Sequence, residues 1–257
     1  DKFTLPDFDR DPETVAGGIT KGVTQFLTGW FTGGRVLKGV KAVTGSGQLA
    51  KNVAKGAIAD FQAFDQDSGR LADMVNDFAP ELENPIIDYL ESFSSLKSDF
   101  IQVNNNGEIL SGSLFVSRPG KFRIEYKQIP LLLISDSKRL AVINKDLRNI
   151  SFHKFEEIPA GVLLFKELSM KGIKIFKLER NENTLTAHLI DSRFKDQGFI
   201  KILFELEPLK MKKWTILKKD NSKTEVFFDN LLFNNKISSK LYDIEREDPR
   251  NIPFSIN

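Results

Sequence analysis

A nearly unbroken series of strand-length segments in the second half of the chain limits the fold more than any other feature. Ten runs of five to ten apolar or alternating residues follow one another, and Asn, Asp, Ser and Gly residues separate several of them. The runs are Glu108–Ser117, Lys121–Tyr126, Leu131–Ser135, Arg139–Asn144, Arg148–Phe155, Gly172–Arg180, Thr184–Asp191, Gly198–Glu205, Lys212–Lys219 and Lys223–Leu232. So many antiparallel strands with few long connections indicate a strongly curved sheet or an open barrel.

The first third of the chain has a different composition and a helical pattern. Apolar residues in the segment Ile19–Phe31 recur at helical spacing, and two further segments before Pro80 show similar patterns. Pro80 and Pro85 accompany a change in composition, and proline interrupts helices. We therefore predict an α+β chain with a helical module at residues 1–84 and a second domain at residues 85–257.

A helix from Pro85 to about Val103 is predicted to open the second domain. Its apolar residues lie one, three or four positions apart, as on one face of a helix. They are Tyr89, Leu90, Phe93, Leu96 and Phe100. The Asn-rich turn that ends at Gly107 separates this helix from the strand series.

The segment 112–126 reads as two strands around a sharp turn. Even-numbered residues in the second strand are apolar and odd-numbered residues are charged, so the strand has one face of each kind. The apolar side chains are Phe122, Ile124 and Tyr126. The turn is Arg118-Pro119-Gly120, in which Pro restricts φ and Gly permits a positive φ. Without further information, Arg118 would be a solvated turn residue and the apolar face would be ordinary core.

Composition argues against several classes of function. The chain has no Cys, and its His residues are His153 and His188, which we expect at the surface or at a sheet edge. We therefore expect no metal site, no cofactor and no enzymatic nucleophile–base pair. A net charge of +2 gives no field for nucleic acid, and no run of 18 apolar residues is present to span a membrane. The 22 Phe residues require a large core or an apolar cavity.

A set of motifs in this region resembles the LolA family of periplasmic outer-membrane lipoprotein carriers. The motifs are Phe93-Ser-Ser-Leu-Lys-Ser-Asp-Phe-Ile-Gln102, Gly112-x-Leu-Phe-Val-x-Arg-Pro-Gly-Lys-Phe-Arg-Ile-Glu-Tyr126, Ile134-Ser-Asp136 and Pro159-Ala-x-Val-Leu-Leu164. Over residues 85–257 the resemblance implies an incomplete antiparallel β-barrel of 10 or 11 strands with a helical lid. It implies a monomeric periplasmic carrier without enzymatic activity. Such a carrier takes the acyl chains of lipoproteins from an inner-membrane ABC transporter to the outer-membrane acceptor LolB.

The resemblance also assigns roles to individual residues. Arg118 matches the motif arginine that bonds the lid, and Phe122 matches the motif aromatic that faces the cavity. The lipid-binding cavity is expected to be lined by Leu114, Phe122, Ile124, Tyr126, Leu133, Val162, Leu163 and Leu164. Many members have Trp where this chain has Ile124, so the shape of the cavity is expected to differ.

An alternative is a non-enzymatic structural or interaction protein in which the helical module acts and the β domain is a scaffold. Two short segments near the N-terminus are weakly similar to pieces of large phage virion proteins. They are Gly22-x-x-Gln-Phe-x-Thr-Gly29 and Ala59-Asp-Phe-x-Ala-Phe-Asp65. The amphipathic segment Ile19–Phe31 could also bind a membrane surface, although its polar face has little charge.

Overall fold

The structure is a computed structural model, and it describes residues 83–155, 161–168, 172–193, 195, 198–218 and 221–251. The predicted helices of the N-terminal module and the predicted membrane-binding segment lie outside the described residues. The domain boundary at residue 84 therefore stays a prediction. Within the described ranges, no helix has the length and apolar character needed to cross a membrane.

The described part of the chain is an antiparallel sheet with short helices at three points along the sequence. The strands are β1 Ser95–Asn104, β2 Ile109–Ser117, β3 Lys121–Tyr126, β4 Leu131–Asp136, β5 Arg139–Asn144, β6 Asn149–Lys154, β7 Ile173–Arg180, β8 Thr184–Asp191, β9 Gly198–Glu205, β10 Lys210–Lys218 and β11 Lys223–Phe233. The helices are α1 Glu83–Glu91, α2 Gly161–Leu164 and α3 Ile244–Glu247, and a 3-10 helix covers Ser239–Tyr242. All ten strand segments expected from the sequence are present.

The sheet has eleven strands in the order β6-β5-β4-β3-β2-β1-β11-β10-β9-β8-β7. Strands β6 and β7 stand at its two ends and do not pair, so the sheet is unclosed. Its central pair is β1 with β11, in which Leu96 lies opposite Phe233 and Asn104 lies opposite Thr224. The expected incomplete barrel of 10 or 11 strands is confirmed.

Strand β1 corrects the prediction of a helix from Pro85 to Val103. The helix α1 ends at Glu91, and the chain is extended from Ser95 onward. Every second residue of β1 is buried, and the buried set includes polar side chains. These buried residues are Leu96, Ser98, Phe100, Gln102 and Asn104. Because three of the five are polar, the period of two was hidden, whereas Leu96 and Phe100 also fit helical spacing.

The sheet buries a large apolar face, which we call the inner face. Apolar side chains from ten of the eleven strands form one continuous cluster with Ile86 and Leu90 of α1 and Leu163 and Leu164 of α2. Strand β6 contributes none to this cluster. The two helices therefore cover the inner face, as expected for a sheet with a helical lid.

A second, smaller cluster lies on the opposite face, which we call the outer face. The residues 237–251, the C-terminal segment, place Tyr242 and Ile244 against apolar side chains of β4 and β5. Arg123, which the alternation assigns to the charged face of β3, is only 4% exposed. Its Nη1 donates to the Leu241 carbonyl and to Glu247 Oε1, each at 3.1 Å. Covering of a polar face by the C-terminal segment was not expected from the sequence.

Candidate functional site

Five of the expected cavity residues lie side by side on the inner face. Leu114 of β2 pairs with Ile124 of β3, which in turn pairs with Leu133 of β4. Phe122 lies on β3 one row away, opposite Val116. Tyr126 continues the same face of β3 on the other side of Ile124. The pleat of three neighbouring strands thus brings these residues to one apolar surface.

This apolar surface is fully covered. Phe122, Ile124 and Leu133 are 0% exposed, and Leu114 is 1% exposed. Leu163 and Leu164 belong to the same cluster, while the side chain of Val162 lies outside what the structure describes. The described residues of the expected cavity are therefore part of the buried cluster that the sheet forms with α1 and α2.

Helix α1 covers the part of the inner face formed by β9, β10 and β11. The ring of Tyr89 is perpendicular to the rings of Phe204 and Phe233, with centroids 5.5 and 5.7 Å away. Its hydroxyl oxygen accepts a hydrogen bond of 3.0 Å from the backbone N–H of Met211. Apart from this bond, α1 rests on this part of the sheet mainly through apolar contact, which has no fixed direction.

Arg118 joins both covering helices at the turn between β2 and β3. Its Nη1 donates to the carbonyl of Leu90 at 2.6 Å and to that of Phe93 at 3.3 Å. Its Nε donates to the carbonyl of Leu163 in α2 at 2.9 Å. The guanidinium also lies over the ring of Phe93, 3.7 Å from the ring centre. Arg118 therefore contacts the backbone of both helices, while its role in closing a lid stays a prediction.

The chemistry of this position suits an arginine. The last carbonyls of a helix lack partners within the helix, and a cation near them is favourable. One planar guanidinium can bond several such carbonyls at once. Burial lowers the pKa of Arg118 to about 10, while Glu91 acts in the opposite direction. The side chain is therefore charged at neutral pH.

Two further hydrogen bonds hold the covering elements together. The N–H of Gly120, in the same turn as Arg118, donates to the carbonyl of Leu164 at 3.0 Å. Glu91 at the end of α1 accepts a hydrogen bond of 2.7 Å from the N–H of Leu168, which follows α2. Gly120 has a φ of +73°, and a Cβ there would lie 2.9 Å from the ring of Phe155. The glycine therefore permits both the turn and its close packing.

The inner face also contains a buried polar chain that sequence reasoning missed. The hydroxyl of Tyr126 donates to Gln102 Oε1 at 2.9 Å, and Gln102 Nε2 donates to Asn104 Oδ1 at 2.7 Å. Asn104 Nδ2 then donates to Glu108 Oε2 at 2.9 Å. Burial raises the pKa of Tyr126, with a further contribution from Glu108, so the phenol stays protonated and remains a donor. The sequence carries little signal for this chain of hydrogen bonds, because the buried positions of β1 include the polar residues Gln102 and Asn104.

The prediction that both histidines lie at the surface or at a sheet edge is wrong for His188. It lies on β8, which is not an edge strand, and is 4% exposed beside the rings of Phe176 and Phe199. His153 lies on the edge strand β6, as expected. Within the described ranges, no three His, Asp or Glu side chains form a group that could hold a metal ion.

Comparison with known proteins identifies a family and one curated relative. The family described as "Outer membrane lipoprotein carrier protein LolA" matches residues 91–245. The uncharacterized protein RP864 of Rickettsia prowazekii (strain Madrid E) is 22% identical over 165 residues. These residues are 62% of this chain and 75% of that protein.

The solved structures that resemble the described part of this chain share little sequence identity with it. One is a LolA superfamily protein, NE2245, from Nitrosomonas europaea, with a TM-score of 0.40 and 6% identity, covering 64% of this chain and 98% of that one. Another is a putative outer membrane lipoprotein-sorting protein domain from Vibrio parahaemolyticus, with a TM-score of 0.41 and 8% identity, covering 65% and 98%. MucB in complex with MucA(peri) has a TM-score of 0.33 and 9% identity, covering 62% and 57%.

Proposed function

The chain belongs to the LolA family of outer membrane lipoprotein carriers, and we propose that its inner face binds the acyl chains of lipoproteins for transport across the periplasm. In this proposal the protein is a carrier and not an enzyme. It takes its load from an inner-membrane lipoprotein-releasing ABC transporter and passes it to an outer-membrane acceptor such as LolB.

The extent of the inner face supports an acyl ligand. An acyl chain of about 15 methylenes at about 0.8 kcal/mol each gains about 12 kcal/mol when it leaves water. A continuous apolar surface that includes Phe122, Ile124 and Leu133 can receive such a chain once the covering helices move. The ligand then replaces the apolar contacts of the covering helices, so the surface stays out of water in both states.

The observation that carries the proposal is the bonding of Arg118 to both covering helices. Opening the inner face requires these bonds to break, so binding of an acyl chain competes with closure. Net hydrogen bonds to a charged group are worth about 1.5–3 kcal/mol each, although bonds to one group are not additive. Because the ligand must first open the helices, the closed form lowers the apparent affinity for the acyl chain. A carrier requires this, since it must also release its ligand.

The test of this proposal is binding of a fluorescent fatty acid analogue to the full chain. Leu132 and Leu133 are neighbours on β4, both are 0% exposed, and they face opposite sides of the sheet. We expect Leu133→Ala to weaken binding about fivefold, because about 1 kcal/mol of contact with the chain is lost. Leu132→Ala, which changes only the outer cluster, should leave the affinity unchanged.

The pair also controls for stability, since both substitutions remove a fully buried Leu and each should cost about 2–5 kcal/mol. Thermal unfolding of both variants must therefore accompany the titration. A folded wild-type protein that does not bind the analogue would refute the carrier function and favour the scaffold alternative. Equal weakening by both variants would show that the inner face is not the binding surface.

A further inference from the structure

Trp214 is an inner-face residue with a donor that nothing in the described part of the chain satisfies. It lies on β10, is 3% exposed and belongs to the apolar inner cluster. Its neighbours across the sheet are Val226 of β11 and Ile202 of β9, whose side chains cannot accept a hydrogen bond. Among the described residues no acceptor is bonded to its indole Nε1.

An unsatisfied indole N–H in an apolar core is unfavourable, because water no longer bonds it. Buried polar groups in native structures nearly always have a partner, and an exception needs a reason. Phe or Leu would fill the same place without this cost. A hydrogen-bond acceptor that arrives with the ligand would explain why a Trp lies between two apolar neighbours on this surface.

We propose that Trp214 Nε1 donates a hydrogen bond to the carbonyl oxygen of a bound acyl group, in an ester or an amide. This inference rests on the proposed function and names the chemical group that the site recognises. The indole N–H is a donor only, so it selects an acceptor. The neighbouring side chains in its row are Val226, Ile202, Gln102 and Ala187, and none is cationic. A neutral carbonyl therefore fits better than a carboxylate.

The position of Trp214 also gives the ligand a direction. Gln102 lies in the same row of the sheet, two strands away, and belongs to the buried polar chain with Tyr126. Leu114 lies opposite Ser98, four residues from Gln102 along β1, or about 13 Å at the rise of a strand. The carbonyl would thus lie at the Trp214 row, and the hydrocarbon would extend toward Leu114 and Phe122.

The experiment compares two lipids that differ only in the carbonyl, dioctanoylglycerol and its dioctyl ether analogue, as competitors of the fluorescent fatty acid analogue. We expect the wild-type chain to prefer the ester about five- to tenfold, which is the worth of one net hydrogen bond. Trp214→Phe should lose this preference by weakening the ester alone. The matched control is Met211→Leu, also an inner-face residue of β10, which should change both lipids equally.

A direct readout comes from the indole ¹H–¹⁵N resonance of Trp214, assigned by its absence in Trp214→Phe. The resonance should move when the ester binds and should move much less when the ether binds. Equal affinity for the two lipids in the wild-type chain, or an equal loss of both in Trp214→Phe, would overturn the inference while leaving acyl binding intact. Binding of neither lipid would overturn the proposed function as well.

Discussion

At the scale of single residues, Arg118 links the turn of one hairpin to two helices that are far apart in sequence. Its partners are the carbonyls of Leu90, Phe93 and Leu163. The turn itself was readable from Arg118-Pro119-Gly120. The partners of Arg118 could not be predicted, because any residue supplies a backbone carbonyl. Which carbonyls Arg118 reaches depends on where α1 ends.

Replacing Arg118 by Leu should loosen both helices and strengthen ligand binding. Loss of the bonds should destabilise the closed form by about 2–4 kcal/mol. Amide hydrogen exchange in α1 should therefore become faster, and the affinity for the fluorescent fatty acid analogue should rise about tenfold or more. Arg118→Lys keeps the charge but loses the planar, widely spaced donors of the guanidinium, so its exchange rate and affinity should fall between those of the wild-type chain and of Arg118→Leu. Unchanged exchange in α1 would contradict the role of Arg118 in closure.

At the scale of elements, ten of the strands and a helical cover over the sheet were expected, whereas strand β1 and the C-terminal segment on the outer face were not. Hairpin turns and alternation located ten strands, because each strand has one apolar face and short connections. Strand β1 was missed because its buried face includes Ser98, Gln102 and Asn104. Hydrogen bonds between side chains that are distant in sequence satisfy buried polar groups, and a pattern of hydrophobicity does not record them.

The C-terminal segment offers a comparison of two ion pairs on the outer face. Glu247 bonds the buried Arg123, whereas Glu245 bonds Arg139, and both of the latter side chains are exposed. We expect Glu247→Gln to lower the free energy of unfolding by about 1–2 kcal/mol, because Arg123 loses part of its charge compensation. Glu245→Gln should change it by no more than about 0.5 kcal/mol. Urea unfolding of both variants measures the difference, and equal losses would show that the segment is not held by Arg123.

At the scale of the whole molecule, one apolar cluster joins α1, α2 and the sheet. A chain shortened to begin at residue 83 keeps all of these elements, so we expect it to unfold cooperatively without residues 1–82. Circular dichroism during thermal unfolding tests this. A broad, non-cooperative transition in the shortened chain would refute the boundary predicted near residue 84.

The central strand pair has a consequence for how the chain acquires its fold. Ser98 of β1 donates to the carbonyl of Asp229 in β11, 131 residues later. The middle of the sheet therefore cannot form until nearly the whole described sequence has left the ribosome, although the flanking hairpins can form earlier. A chain emerging at about 5–20 residues per second leaves β1 without its partner β11 for about 7–26 seconds. During that time the two halves of the sheet are not yet joined, so the chain cannot reach its complete, cooperatively folded state.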